Sequence, residues 1–262
     1  MGLFSRKQKI DMSTLPNCVA FIVDGNGRWA KKRGMPRMMG HSAGIDAVKL
    51  TIDNAEKLGI KEVLFYCFST ENWNRPKKEV DGLFELFRKF INKEADNYLK
   101  RDFRLVLLGE RSKIPSDIME KVEEIEEKTK NCTKMKIGLC INYGGRLDII
   151  TATNKLLQEG KKCVTEEEFS KYLFSCDFSD PDLIVRTSGE KRISNFMLYQ
   201  MAYSEFYFTD TYWPDFDQRE LEKAICNFQK RNRRFGAIKE WHAKEIAYRY
   251  CYNCNYSGFF CA

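Results

Sequence analysis

Short apolar runs alternate with longer stretches of helical periodicity along this chain, and that alternation restricts the fold more than any other feature. The apolar runs are 19–24, 63–68, 104–109, 135–142 and 183–187, and 205–209 is a candidate for a sixth. The helical stretches are 42–58, 79–100, 116–130, 146–158 and 218–231. Continuous apolar strands alternating with helices are typical of a parallel sheet covered on both faces. The sequence therefore predicts an α/β fold with a mostly parallel central sheet flanked by helices.

No internal repeat and no proline- or glycine-rich linker divides the chain, so we assign a single domain to 17–236. Residues 1–16 are basic and contain no apolar run, which predicts a flexible N-terminal tail rather than a secretory signal. Residues 237–262 form a C-terminal extension of unknown role. This extension contains Cys251-x-x-Cys254, but no second cysteine pair at zinc-finger spacing follows, so we expect no structural metal there.

Composition excludes several classes of protein. The chain is 43% hydrophobic with 19 Phe and 12 Tyr, enough for a large core and too much for a disordered protein. No stretch approaches the roughly 18 uncharged apolar residues of a transmembrane helix. Ten cysteines are scattered along the chain, several of them inside apolar runs, which favours reduced thiols and a cytoplasmic location.

The net charge of +7 is compatible with nucleic acid, an anionic lipid surface or a small anionic substrate. We find no recognition-helix or single-strand binding motif and expect no nucleic-acid partner. Peripheral contact with a membrane stays open, although no amphipathic anchor with a strongly basic face is evident.

Polar residues follow the predicted strands, at the edge where parallel sheets bind their ligands. The loops after the strands hold or adjoin five arginines, with glycines among them: Arg28, Arg37, Arg75, Arg186 and Arg192. Guanidinium groups bind phosphate oxygens in pairs, and glycine lets the backbone approach closely. Asp24 and Glu205 are candidate carboxylates for Mg²⁺. Each residue alone is more typical of an ion pair or a turn, but together they favour a phosphate-bearing ligand.

Two nucleotide-binding motifs are absent or weak. The chain has no G-x-x-x-x-G-K-[ST] sequence, which argues against a P-loop enzyme. Residues 25–30 fit G-x-G-x-x-A, but the next strand begins too late for the expected acidic partner, and the loop contains the bulky Trp29. A dinucleotide site is therefore not expected.

The predicted helix at 79–100 has a broad apolar stripe, formed by Leu83, Phe84, Leu86, Phe87, Phe90 and Ile91. Such a stripe normally packs in the core. It would also suit the wall of an apolar tunnel for a diphosphate with a hydrocarbon tail, and the sequence does not separate the two interpretations.

Five segments together resemble the cis-prenyltransferase family, the undecaprenyl diphosphate synthases. They are VDGNGRWA (23–30), GHSAG (40–44), FSTENWNRP (68–76), INYGGR (141–146) and IVRTSGEKRISNFMLYQMAYSEFYF (184–208). The similarity extends from about residue 19 to residue 236. The all-helical trans-prenyltransferases are excluded, because the chain has no DDxxD motif and is predicted to be α/β. Ser188 stands where many bacterial members have glycine.

The resemblance implies a fold with an apolar tunnel and a homodimer. It implies Mg²⁺-dependent, sequential cis condensation of isopentenyl diphosphate onto an allylic diphosphate such as farnesyl diphosphate, which yields undecaprenyl diphosphate or a similar polyprenyl diphosphate. The alternative is a non-catalytic partner subunit of the same fold. Such partners have lost the first-loop aspartate, which is present here as Asp24.

The resemblance also assigns residues. Asp24 and Asn72 are the expected catalytic residues, and Asp24 and Glu205 the expected Mg²⁺ ligands. Asn72 is an amide with little basicity, so we expect it to orient the substrate while diphosphate or water accepts the proton. The expected substrate-binding residues are Gly25, Asn26, Gly27, Arg28, Trp29, Arg37, His41, Ser69, Thr70, Glu71, Trp73, Arg75, Arg186, Arg192, Ile193 and Ser194.

Overall fold

A computed structural model describes residues 10–231, and these contain a six-stranded sheet in the order β3-β4-β2-β1-β5-β6. All five strand pairings are parallel. The strands are β1 (Cys18–Ile22), β2 (Glu62–Ser69), β3 (Phe103–Leu108), β4 (Met135–Tyr143), β5 (Leu183–Arg186) and β6 (Glu205–Phe208). The predicted parallel α/β fold is confirmed.

Seven α-helices connect or follow the strands: α1 (Asn26–Lys32), α2 (Arg37–Leu58), α3 (Lys77–Lys100), α4 (Ser116–Thr129), α5 (Gly145–Gln158), α6 (Glu166–Ser170) and α7 (Gln218–Gln229). Two short 3-10 helices, Thr70–Asn74 and Trp213–Asp215, complete the described elements. We call Thr70–Asn74 the 3-10 turn.

The sheet is buried on both faces because its strands alternate between two cores. In β1, Val19 and Phe21 join a large cluster that also includes residues of α2, α3, α4 and α7. Cys18, Ala20 and Ile22 face a smaller cluster on the other side of the sheet. A parallel strand with both faces covered is expected to be continuously apolar, as β1 is.

Three predictions of local structure need correction. The glycine-rich segment after β1, treated as a loop, contains the short helix α1, and α2 begins at Arg37 rather than at residue 42. Within the predicted flexible tail, residues 10–16 pack against the body: Gln229 donates a hydrogen bond to the backbone oxygen of Asp11 at 2.6 Å, and Leu15 contacts the larger core. Residues 1–9, 232–236 and the predicted extension 237–262 lie outside the described residues.

The seven cysteines among the described residues are all free thiols, as the sequence predicts for this part of the chain. Within residues 10–231, no helix combines the length and the apolar character needed to cross a bilayer.

Candidate active site

The predicted polar residues meet at the carboxyl edge of the sheet, around its central strands. β1 lies between β2 and β5, so the loops that follow these three strands are neighbours. Asp24 follows β1, Ser69 ends β2 and Arg186 ends β5. Ligands of open parallel sheets bind at this edge, where the chain connections diverge to either side.

A polar pocket occupies this position. Five arginines line it together with two carboxylates, those of Asp24 and Glu71, so its lining is cationic. The full lining is Ile22, Val23, Asp24, Gly25, Asn26, Gly27, Arg28, Arg37, His41, Tyr66, Cys67, Ser69, Glu71, Asn72, Arg75, Arg186, Arg192, Ser194 and Asn195. A pocket of this charge favours an anion with several oxygens.

Asp24 is held between two arginines. Its Oδ1 lies 3.2 Å from Arg28 Nη2, and its Oδ2 accepts a hydrogen bond from Arg186 Nη2 at 3.0 Å. Burial would raise the pKa of Asp24, but the hydrogen bond from Arg186 and the charge of Arg28 outweigh it and hold the pKa below its ordinary value. The carboxylate is therefore ionised at neutral pH and can bind a cation.

Glycines bring helix α1 unusually close to α2. A Cβ at Gly40 would lie 2.0 Å from the backbone oxygen of Asn26, and one at Gly44 would lie 2.5 Å from Asn26 Oδ1. Gly25 precedes α1 with a φ of 103°, a conformation that favours glycine. The two glycines of the GHSAG segment thus fix α1, and with it Asn26 and Arg28, at the edge of the pocket.

Glu79, in the first turn of α3, contacts three side chains that line the pocket. Its Oε1 accepts hydrogen bonds from Arg37 Nε at 3.0 Å and Arg75 Nη1 at 3.1 Å, and lies 3.6 Å from His41 Nε2. Burial, reinforced by the charges of Arg75 and Arg37 and opposed by Glu79, lowers the pKa of His41 to about 4. His41 is therefore a neutral imidazole at physiological pH.

Arg186 connects β1 to the loop after β5. Besides Asp24, it donates to Ser194 Oγ at 2.7 Å and to the backbone oxygen of Arg192. Arg28 and Arg192 both pair with Glu190, Arg28 at 2.9 Å. Each of these arginines thus has a carboxylate partner with which a substrate phosphate would compete.

The 3-10 turn places Asn72 at the pocket. Ser69 and Asn72 cap it reciprocally, and Asn72 Oδ1 accepts the Ser69 N–H at 3.2 Å. On the outer side, Trp73 Nε1 donates to Asn142 Oδ1 at 2.8 Å and its ring stacks on Phe84. The oxygen of the Asn72 amide is therefore already hydrogen-bonded within the turn.

An apolar cavity, partly open to solvent, adjoins the polar pocket and shares Val23, Asn26, His41 and Cys67 with it. Five residues of the predicted stripe on α3 contribute to its wall: Leu83, Phe84, Leu86, Phe87 and Phe90. Ile91, the sixth, is buried in the larger core. The stripe therefore contributes to the core and also lines an apolar cavity.

Some predicted substrate-binding residues do not line the polar pocket: Trp29, Thr70, Trp73 and Ile193. Trp29 donates to Asp215 Oδ1 at 2.7 Å and stacks against Arg33. Trp29 and Trp73 thus belong to the elements that carry pocket residues, α1 and the 3-10 turn, and their side chains contact neighbouring elements.

Within a single chain, Glu205 lies away from Asp24, and the shared binding of Mg²⁺ by the two carboxylates stays a prediction. Glu205 begins β6, in register with Leu183, whereas Arg186 is in register with Phe208. At about 3.3 Å per residue, Glu205 lies roughly 10 Å below the level of Arg186, toward the amino edge of the sheet. There it pairs with Arg231 at 2.5 Å.

Sequence reasoning missed four polar residues that hold the site together: Glu79, Asn142, Glu190 and Asn195. A signal existed for Glu79, which stands four residues after Arg75 at the spacing of a helical ion pair. Asn142 and Asn195 have φ values of 50° and 63°, and asparagine tolerates this left-handed region better than most residues. No sequence pattern indicates which side chains they contact.

A sequence model of one protein family, described as putative undecaprenyl diphosphate synthase, matches residues 22–236. The chain belongs to this family, the cis-prenyltransferases. It is 48% identical to an isoprenyl transferase of Fusobacterium nucleatum over 225 residues, which cover 86% of this chain and 97% of the relative. An isoprenyl transferase of Neisseria meningitidis is 45% identical over 236 residues, covering 90% and 95%.

Solved structures of similar proteins lead to the same family assignment. Lavandulyl diphosphate synthase from Lavandula x intermedia, in complex with dimethylallyl diphosphate, superposes with a TM-score of 0.81 at 33% identity, over 85% of this chain and 98% of that one. A probable undecaprenyl diphosphate synthase from Campylobacter jejuni gives a TM-score of 0.72 at 32% identity, over 85% and 99%. The chain is thus an isoprenyl-transferring enzyme, and the resemblance drawn from its motifs is confirmed.

Proposed function

We propose that this cis-prenyltransferase condenses isopentenyl diphosphate with an allylic diphosphate such as farnesyl diphosphate, repeatedly and in the cis sense. The product would be a polyprenyl diphosphate, undecaprenyl diphosphate or one of similar length. The observation that carries the proposal is the junction of a cationic pocket with an apolar cavity. A diphosphate with a hydrocarbon chain has the same two parts.

The allylic diphosphate would bind at α1 beside His41, whose buried Nε2 has no hydrogen-bond partner among the described residues. Arg28 and Arg37 would hold its oxygens in place of Glu190 and Glu79. Isopentenyl diphosphate would bind between Arg186, Arg192 and Ser194. Both assignments follow the family resemblance and are consistent with the charge of the lining.

Asp24 fits a role in holding Mg²⁺, because its ionised carboxylate faces the pocket and Mg²⁺ usually combines one or two protein carboxylates with substrate phosphate oxygens. Among residues 10–231, no group of three or more His, Cys, Asp and Glu side chains forms a metal site, so substrate oxygens would complete the coordination. The ion would supply positive charge where the diphosphate leaves.

The side chains of the protein would perform the remaining steps of the reaction. Arg28 and Arg186 would stabilise the negative charge that grows on the departing allylic diphosphate. Asn72 would orient the isopentenyl group, and a diphosphate oxygen or a water would take the proton released as the new double bond forms. The apolar cavity along α3 would receive the growing chain as a tunnel.

We also propose a homodimer located in the cytoplasm, with peripheral membrane contact when the apolar product leaves. β6 supports the dimer, because it is an edge strand with half-exposed Phe206 and Phe208. The cytoplasmic location rests on the free thiols.

Incorporation of labelled isopentenyl diphosphate into extractable lipid, with farnesyl diphosphate as the starter, tests the proposal. We expect product with Mg²⁺ and none with EDTA. Asp24→Asn should lower kcat by about a hundredfold or more, the order typical for loss of a group that stabilises transition-state charge. Asp81→Asn is a matched control, since Asp81 is an exposed carboxylate paired with Lys77 on α3.

If farnesyl diphosphate gives no product, shorter allylic starters such as dimethylallyl diphosphate are tried next. If Asp24→Asn and Asp81→Asn are equally active, the assignment of Asp24 is wrong. A protein inactive with every starter would instead be the non-catalytic partner subunit.

A further inference from the structure

Asn195 stands at the edge of the polar pocket in a conformation that few side chains tolerate. It follows Ser194, and the two have φ values of 63° and 50°. Two successive non-glycine residues in the left-handed region are strained, and such strain persists only where surrounding contacts hold it. The contacts of Asn195 therefore hold this conformation in place.

Every polar group of the Asn195 side chain is engaged, on two different elements. Its Oδ1 accepts the backbone N–H of Arg146 at 3.0 Å, and its backbone oxygen accepts the N–H of Gly145 at 2.6 Å. Its Nδ2 donates to Glu71 Oε1 at 2.8 Å. Asn195 thus bridges the start of α5 and the 3-10 turn.

Gly144 leaves the space that this bridge needs. A Cβ at that position would lie 2.8 Å from Asn195 Nδ2 and 2.7 Å from Thr70 Oγ1. Gly144 has a φ of −158°, an extended conformation open to any residue. The close approach of Asn195 and Thr70 therefore explains why residue 144 is a glycine, whereas its backbone conformation does not require one.

The bridge extends a series of contacts along the pocket. Asp24 bonds to Arg186, and Arg186 bonds to Ser194, the neighbour of Asn195. Asn195 bonds to Glu71, which precedes Asn72. We propose that Asn195 is a positioning residue that fixes the 3-10 turn, and with it Asn72, against the loop that carries Arg192 and Ser194. This inference rests on the proposed function, because it concerns the geometry of the same two substrates.

An exchange of polarity tests the bridge. Asn195→Asp keeps an acceptor for Arg146 N–H but loses the donor to Glu71 and places two carboxylates together. We expect kcat to fall about tenfold or more, since hydrogen bonds to charged groups are worth at least that factor. The KM for isopentenyl diphosphate should change less, because Arg186, Arg192 and Ser194 keep their contacts. Glu71→Gln in the same chain restores a donor–acceptor pair in reverse and should recover most of the lost kcat.

A second readout is hydrogen–deuterium exchange of residues 69–74. Exchange should rise in Asn195→Asp and in Gly144→Ala, and return toward the parent value in Asn195→Asp/Glu71→Gln. Unchanged kcat and exchange in Asn195→Asp would overturn the proposal, as would a double variant no better than the single one. A parent protein without turnover would count against the proposed function alone, and the bridge would then be judged by exchange.

Discussion

At the scale of single residues, the sequence indicates which side chains carry charge into the pocket but not which partners hold them there. Asp24, Arg28 and Arg186 were predictable, because charged residues directly after apolar strands must lie at the edge of the sheet. The contacts of Glu79 with Arg37 and of Glu190 with Arg28 were not, because they join different elements that tertiary packing brings together. The reactive groups are thus readable from sequence, and the contacts that orient them require the fold.

His41 should make stability depend on pH. Its pKa in the folded protein is about 4, below the ordinary value of 6.5, so between these values the unfolded chain binds more protons. The contribution of His41 to the free energy of unfolding should therefore be fully present above pH 6.5. It should fall as the pH drops toward 4, by up to about 3 kcal/mol, since one pKa unit corresponds to about 1.4 kcal/mol. Urea unfolding at a series of pH values measures this slope.

His41→Gln should flatten that slope, and the same change at the only other histidine, His242, serves as the control. An equal slope in His41→Gln and the parent would show that other groups cause the pH dependence.

We expect Ser188 to destabilise the folded protein. Its φ is 80°, and its buried Oγ has no hydrogen-bond partner among the described residues. Ser188→Gly removes the backbone strain and the unpaired hydroxyl, so we expect stabilisation of about 1 kcal/mol after the entropy cost of glycine. Thermal unfolding of Ser188→Gly and Ser188→Ala separates the two causes, since alanine keeps the strain. Destabilisation by glycine would mean that the hydroxyl has a favourable contact.

At the scale of elements, strands and long helices followed from periodicity, whereas helix α1 did not. Its sequence, flanked and interrupted by glycine, has the composition of a loop. It is helical because Gly25 supplies a left-handed start and because Gly40 and Gly44 let α1 lie against α2. Tertiary packing here overrides the local helix propensity, and the packing partners in α2 cannot be inferred from the residues of α1 alone.

Gly40→Ala tests this packing. The added Cβ would meet the Asn26 backbone, so α1 must move, and we expect a loss of about 1–3 kcal/mol in the free energy of unfolding together with most of the activity. Gly82→Ala is the matched control in helix α3, because its Cβ would meet the flexible end of Met38. Denaturant unfolding and turnover are measured for both variants, and equal effects would contradict this account of α1.

At the scale of the whole molecule, the sequence predicts a parallel sheet but not the order of its strands. The order places β1 between β2 and β5 and so assembles the pocket from segments more than 160 residues apart. The register also separates Glu205 from Asp24, a separation that only the paired strands reveal. Fold class was therefore predictable, whereas the neighbours at the sheet edge were not.

The edge strand β6 leads us to expect a dimer in solution. Sedimentation equilibrium at micromolar protein should give twice the chain mass of 30.8 kDa, because Phe206 and Phe208 lie half-exposed on the last strand of the sheet. A monomer mass that persists at increasing concentration would refute the homodimer.

Product identity tests the central claim most directly. Farnesyl diphosphate and ¹³C-labelled isopentenyl diphosphate are incubated with the protein and Mg²⁺, and the extracted lipid is analysed by mass spectrometry and by NMR of its double bonds. The account predicts chains lengthened by whole isoprene units, with every added double bond cis. Added double bonds in the trans geometry would contradict it.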